Sequence, residues 1–371
     1  MKKHNKNYVQ WQKIPEISKS GYNLLKEKRY EEAESKFQKI LRIDKKNIYA
    51  LVGMGDVHRA KKFYEKAVEF YNKSLEIEPL NKFALIGLAD TYRALRKYDE
   101  AVRIWEEYLS YNEHEFDIAI LTRLGDTYRK IGKLKSAIEK YEKALTVDKN
   151  NPYVLSGLGL IYFEKNHYKK SLTFWSHLLE IKPHDIKVLT NIGNCYRKLK
   201  QFNEALKYFY KALALEEENF YALYGIADSY RGLRNYGKAG DYWRQILKND
   251  PYNRKILTRL GDTYRNLGNT KTARYYYQNA IEKEFDYYAI LGLSILDKME
   301  KNYDAAIENL IQLEKISGLN NQLALLLSEC YIETNKTEMG LNILIEASQK
   351  GISNEEIKKR LKILKQKQKN P

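Results

Sequence analysis

Residues Ile120–Arg129 read ILTRLGDTYR, and Ile256–Arg265 read ILTRLGDTYR again, 136 positions later. That distance is four periods of 34, and the rest of the chain falls into the same register. Laid out from Ile14, it gives ten units: 14–47, 48–81, 82–115, 118–151, 152–185, 186–219, 220–253, 254–287, 287–320 and 321–354. Two residues are extra around Phe116 and Asp117, and one is lost near Tyr287. The eighth column holds Gly21, Gly55, Ala89, Gly125, Gly159, Gly193, Ala227, Gly261, Ser294 and Ser328. The twentieth holds Ala33, Ala67, Ala101, Ala137, Ser171, Ala205, Ala239, Ala273, Ala306 and Gly340. All are small. Two helices approach closely only where neither carries bulk, so these columns mark the crossing within a helical hairpin.

Large residues complete the pattern. Phe37, Tyr71, Trp105, Tyr141, Trp175, Phe209, Trp243 and Tyr277 follow the second small column by four residues, on the same helical face. Tyr92, Tyr128, Tyr162, Tyr196, Tyr230, Tyr264 and Tyr331 follow the first by three, placed to fill the groove against the next hairpin. Pro79, Pro183 and Pro251 fall near the end of the second helix, where a stop is wanted. On these residues the chain resembles the tetratricopeptide-repeat family from about Ile14 to Asn354. The resemblance implies an all-α fold: a right-handed superhelical solenoid of about ten antiparallel helix pairs with a long concave groove. A single hairpin cannot bury its apolar face, so stability comes from the interfaces between neighbours.

Ser353-x-x-Glu356 reads as a capping box, with Ile352 and Ile357 placed for a hydrophobic staple. Residues 355–371 therefore read as a Lys-rich capping helix and tail, and 1–13 as a basic lead-in. No Gly/Ser or Pro linker interrupts the register, which argues for one elongated array. Cys195 and Cys330 lie in different units and imply no disulfide framework. The N-terminus lacks the apolar run of a signal peptide, and no stretch is long enough to cross a membrane. A cytoplasmic protein is the expectation. The net charge is +17, of which +4 lies in residues 1–13 and +5 in residues 355–371, leaving +8 for the array.

The first helix of each unit lines the groove. Asp56, Asp90, Asp126, Asp228 and Asp262 occupy its ninth place, with Asn194 once. Arg59, Arg93, Arg129, Arg197, Arg231 and Arg265 occupy the twelfth. One reading is a structural charge ladder of pairs contributing ~0.2–1 kcal/mol each. The other is a strip of guanidinium forks for a peptide's carboxylates or carbonyls. The strip is nearly neutral, a poor grip for a phosphate backbone.

A further groove column carries Tyr49, Phe83, Tyr153, Tyr221 and Tyr288, while Ala119, Lys187 and Lys255 stand in the alternate units. Gly53, Gly87, Gly157, Gly225 and Gly292 accompany the rings, and Arg123, Asn191 and Arg259 mark the other set. Each Tyr or Phe beside a Gly reads either as a large–small packing pair or as an anchor for a bound peptide. In unit 152–185, Leu160 and Phe163 replace the Asp and Arg, giving an apolar Tyr153/Leu160/Phe163 patch. Such a patch marks partner binding, or else drift and burial by a neighbouring turn.

Family members that hold the C-terminal carboxylate of chaperone tails use a five-residue clamp over three units. Asn194, Lys255 and Arg259 match it, whereas Thr190 and Gly225 do not and Asp228 adds repulsion. A looser carboxylate site at Lys255/Arg259 stays open.

The histidines form no i, i+4 pair, and no phosphate loop, nucleophile elbow or metal-ligand spacing occurs. No cofactor is expected. The reading is a non-enzymatic scaffold that binds a peptide or partner protein, with Arg197, Arg231 and Tyr221 also in its groove. Alternatives are a helical-repeat binder of RNA or another polyanion, or a docking module for a separately encoded enzyme. Self-association through the terminal hairpins stays open.

Overall fold

A computed structural model describes residues 13–111, 113–352 and 354–369. Of the basic lead-in only Lys13 falls within them, and the rest of it lies outside the described residues. Among those described there are twenty-one helices and no strand. The first helices of the hairpins are Ile14–Lys26, Ile48–Ala60, Lys82–Ala94, Ile118–Lys130, Pro152–Glu164, Ile186–Lys198, Phe220–Gly232, Arg254–Asn266, Tyr287–Met299 and Asn321–Glu333. Each packs on the helix that follows it, from Tyr30–Ile43 to Thr337–Gln349, and Glu355–Lys369 closes the chain. The chain divides into two compact units, Met1–Ile181 and Lys182–Pro371.

Local chemistry explains where these helices begin. From the second hairpin onward, an Asn or Asp stands directly before every first helix: Asn47, Asn81, Asp117, Asn151, Asp185, Asn219, Asn253, Asp286 and Asn320. Each side chain accepts a hydrogen bond from a first-turn backbone N–H, as at Asn47 Oδ1 from Ala50 (3.1 Å). Such caps contribute about 1 kcal/mol apiece. Pro79, Pro183 and Pro251 sit just beyond the second helices, in the connecting turns, rather than within their last turns.

Inside each hairpin the first helix ends on a left-handed residue. Lys28, Lys62, Arg96, Asn166, Lys200, Arg234, Lys301 and Asn335 have φ between 59° and 63°, and Gly132 and Gly268 take the same place. The next N–H reaches back to close the turn, as Phe63 N does to the His58 carbonyl (2.8 Å).

The two small columns are buried throughout, and so are the rings that follow the second. Four members of the Tyr column also make ring contacts within their own hairpins. Tyr162, Tyr196, Tyr230 and Tyr264 stack on Phe174, Tyr208, Tyr242 and Tyr276 of their own hairpins, at 5.5–6.0 Å. In the second hairpin His58 takes that place and stacks on Phe70 at 5.3 Å; burial lowers its pKa, so it rests neutral.

At the C-terminal end Ile357 and Leu364 bury against Leu341, Leu344 and Ala347. Ser353 lies outside the described residues. The closing helix is capped by Asn354, whose Oδ1 accepts from the Ile357 backbone N–H at 2.9 Å.

Candidate partner-binding groove

Gly53, Gly87, Gly157, Gly225 and Gly292 do not pair with the aromatic that shares their unit. A Cβ at Gly53 would lie 2.5 Å from the Phe37 ring, and one at Gly87 2.3 Å from Tyr71. The same holds for Gly157 with Tyr141, Gly225 with Phe209 and Gly292 with Tyr277, at 2.3–2.5 Å. Each glycine therefore admits the buried ring of the preceding hairpin. This relieves Tyr49, Phe83, Tyr153, Tyr221 and Tyr288 of any packing duty, and all five are exposed, at 68–76%. Five rings left in water at one register position are what hydrophobic burial alone would not produce.

In the first unit these rings line two hollows. One of about 700 Å³ lies across the first three hairpins, walled by Ile14, Pro15, Tyr22, Tyr49, Val52 and Phe83, with Lys19 and Asp56 as its charged members. Tyr22 donates to the Tyr49 carbonyl at 3.1 Å, which fixes one wall. The sequence reading passed over this hollow. Its signal is that unit 14–47 places Tyr22 where other units carry Asp, and the small Pro15 where others carry a large ring. The other hollow, of about 630 Å³, has a mixed lining: Asp90, Arg93, Thr122, Arg123 and Asp126 with Ile118, Ala119 and Tyr153. Leu160 and Phe163 do not line it. Both are half-buried, and Phe163 packs edge-on against Tyr168 at 5.3 Å.

The charge ladder has a denser wiring than i, i+3 pairs. Asp56 binds Arg59 (3.2 Å) and accepts from the Tyr71 hydroxyl (2.7 Å). Asp126 accepts from Tyr141 (2.5 Å) and Asp262 from Tyr277 (2.8 Å). Burial, then the adjacent aspartate, raises the pKa of each of these tyrosines, so they stay protonated donors. Asp90 joins Arg93 (3.2 Å) to Arg123 of the next hairpin (3.4 Å).

In the second unit Asp228 is the hub. Arg197 of one hairpin and Arg231 of the next both bond to its carboxylate, and Arg197 also donates to Asn194 (3.1 Å). Burial pushes the Asp228 carboxyl up, and the two guanidinium groups more than offset it, leaving the pKa below its ordinary value. Asn194, Arg197 and Arg231 are thus knitted to one another. Arg259 is looser, 3.9 Å from Asp262, and Lys255 lies over the Tyr224 ring at 4.7 Å. Tyr221 stands exposed, edge-on to Phe220 at 5.6 Å.

Among the described residues, no three His, Cys, Asp or Glu side chains converge as a metal site would require. Burial pushes the Cys330 thiol up to about 11, far from a reactive thiolate. No helix among them is long and apolar enough to cross a membrane.

Comparison with known proteins agrees with the repeat fold. Family models described as tetratricopeptide repeat match residues 48–79, 84–113, 186–219 and 224–289, and one described as TPR repeat matches 125–166. No curated protein matches. Similar solved structures include a tetratricopeptide repeat protein from Parabacteroides merdae, 20% identical, covering 72% of this chain and 98% of its own (TM-score 0.51). The C-terminal part of a TPR repeat-containing protein from Cytophaga hutchinsonii is 21% identical, covering 65% of this chain and 99% of its own (TM-score 0.55). PilW, a type IV pilus biogenesis factor, is 23% identical, covering 56% of this chain and 96% of its own (TM-score 0.50). At these identities the likeness is one of fold. Five matches spread over the array, on helix pairs that cross at small residues, show that the chain belongs to the tetratricopeptide-repeat family.

Proposed function

We propose that the protein is a non-catalytic scaffold that holds a peptide segment of a partner protein against the inner faces of its first helices. The observation that carries this reading is the column of exposed rings at Tyr49, Phe83, Tyr153, Tyr221 and Tyr288. A Tyr or Phe contributes a large apolar face at low conformational cost, which suits it to anchor a ligand. In the first unit the rings stand over hollows with room for side chains. The ladder supplies the polar part: its carboxylates are already satisfied, while its guanidinium groups keep spare N–H donors for backbone carbonyls or acidic side chains.

The test is crosslinking mass spectrometry on the chain captured with its partner from the native cell. Tyr49→Ala with Phe83→Ala, and Tyr153→Ala separately, should lose the partner crosslinks while the thermal transition stays where it is. Retention of the same crosslinks by all three substitutions together would remove the ring column from the function.

A further inference from the structure

The chain builds one groove segment twice, once in each compact unit. In the first unit Phe83 opens the segment and Tyr153 closes it; in the second Tyr221 and Tyr288 do so, all between 69% and 76% exposed. Inside the segment Asp90 pairs with Arg93 (3.2 Å) and Asp228 with Arg231 (2.9 Å). Tyr141 donates to Asp126 (2.5 Å), and Tyr277 donates to Asp262 (2.8 Å). Thr122 and Thr258 turn their hydroxyls back onto the carbonyls of Ile118 (2.6 Å) and Arg254 (3.0 Å), so neither offers its proton outward. The buried Trp105 and Trp243 back the two segments alike.

The repetition extends to charge. Asp126 and Asp262 are each taken up by a tyrosine hydroxyl, while Arg123 and Arg259 project from the centre of each copy, one residue after those threonines. Arg123 donates to Asp90 (3.4 Å) and to the Ala119 carbonyl (3.2 Å), and Arg259 stands 3.9 Å from Asp262, which Arg265 engages more closely (3.2 Å). Each centre is therefore a guanidinium group that keeps N–H donors to spare beyond its contacts within the chain. Lys255 adds a second cation to the later copy.

Resting on the groove reading above, we propose that the protein is bivalent: each unit takes one copy of the same peptide element, an acidic side chain flanked by apolar ones. The apolar residues lie on the exposed rings and the carboxylate meets Arg123 or Arg259. A partner that carries the element twice is held far more firmly than its single-site affinity implies, because the second engagement is intramolecular.

The probe is a synthetic dodecapeptide obtained by selecting a random displayed library on the full-length chain. Titration calorimetry should give two equivalents per chain, and the selected sequences should carry Asp or Glu between apolar residues. Arg123→Ala and Arg259→Ala should each weaken one site about ten- to a hundredfold, the loss of one charge-assisted contact, and together leave neither. Tyr153→Ala and Tyr288→Ala, at exposed positions, should repeat that split with the fold untouched. A single equivalent, or two that ignore both arginines, overturns bivalency while leaving the groove a peptide holder. Selected sequences without acid overturn the ligand chemistry. A chain that selects no peptide at all removes the groove reading and bivalency with it.

Discussion

At the scale of single residues, the glycines of the groove helices are spacers for rings belonging to the hairpin before. Gly87→Ala puts a methyl 2.3 Å from the Tyr71 ring, which is buried and cannot swing away. A loss of about 1–3 kcal/mol is expected in urea unfolding, the usual cost of overpacking. Gly237→Ala is the control: its nearest neighbour would be Asn235 Oδ1 at 3.9 Å, so the same change should be neutral or mildly stabilising. Asp228 gives a pH-dependent counterpart. Its folded pKa lies below the ordinary 3.8, so it adds stability above that value and loses it as pH falls through the folded one. Asp228→Asn should cost about 1–3 kcal/mol at pH 7, and the gap to wild type should narrow below pH 3.8. A gap of constant size from neutral to acid pH would contradict the two-guanidinium account. The small columns were legible in the sequence because each is a contact within one unit. The partner of Gly87 was not, since Tyr71 belongs to the preceding unit while Phe83, four residues upstream, invites the wrong pairing.

At the scale of hairpins, the alternation along the array acquires a steric cause. Where the buried ring is Phe or Tyr, the next hairpin carries Gly opposite it. Where it is Trp105, Trp175 or Trp243, the next carries Arg123, Asn191 or Arg259. Hairpins are therefore not interchangeable one at a time. Deleting 220–253 would bring Phe209 against Arg259 in place of Gly225, with no room for the side chain. Deleting 220–286 would bring Phe209 against Gly292, a matched junction, and Asn219 would still cap the following helix. The shorter protein should then melt at the higher temperature by circular dichroism. The opposite order would mean that the ring–glycine fit does not govern stacking. The sequence displayed this two-hairpin superperiod, yet not its reason, because a reason that joins two units is invisible in a column. The Asn and Asp caps before the first helices are, by contrast, a local signal, a regular column at the seam between one unit and the next.

For the chain as a whole, periodicity carried the fold, since stacked hairpins need only local patterns repeated in register. The candidate site was less legible. Of the Tyr153/Leu160/Phe163 patch expected where charge disappears, Tyr153 is exposed while Leu160 and Phe163 are half-buried. The larger hollow opens where bulk disappears, beside Pro15, and missing volume leaves little trace in a sequence. The hairpin turns have one consequence of practical weight. Most place a long cationic or amide side chain in a left-handed conformation that costs an L-residue roughly 1–2 kcal/mol, more than glycine's added chain entropy of ~0.5–1 kcal/mol. Lys62, Arg96, Lys200 and Arg234 are exposed and make no ion pair among the described residues. Replacing these four by glycine should raise the melting temperature by several degrees and lower the +17 charge. Thermal robustness would then become adjustable from turns that carry none of the groove's exposed rings.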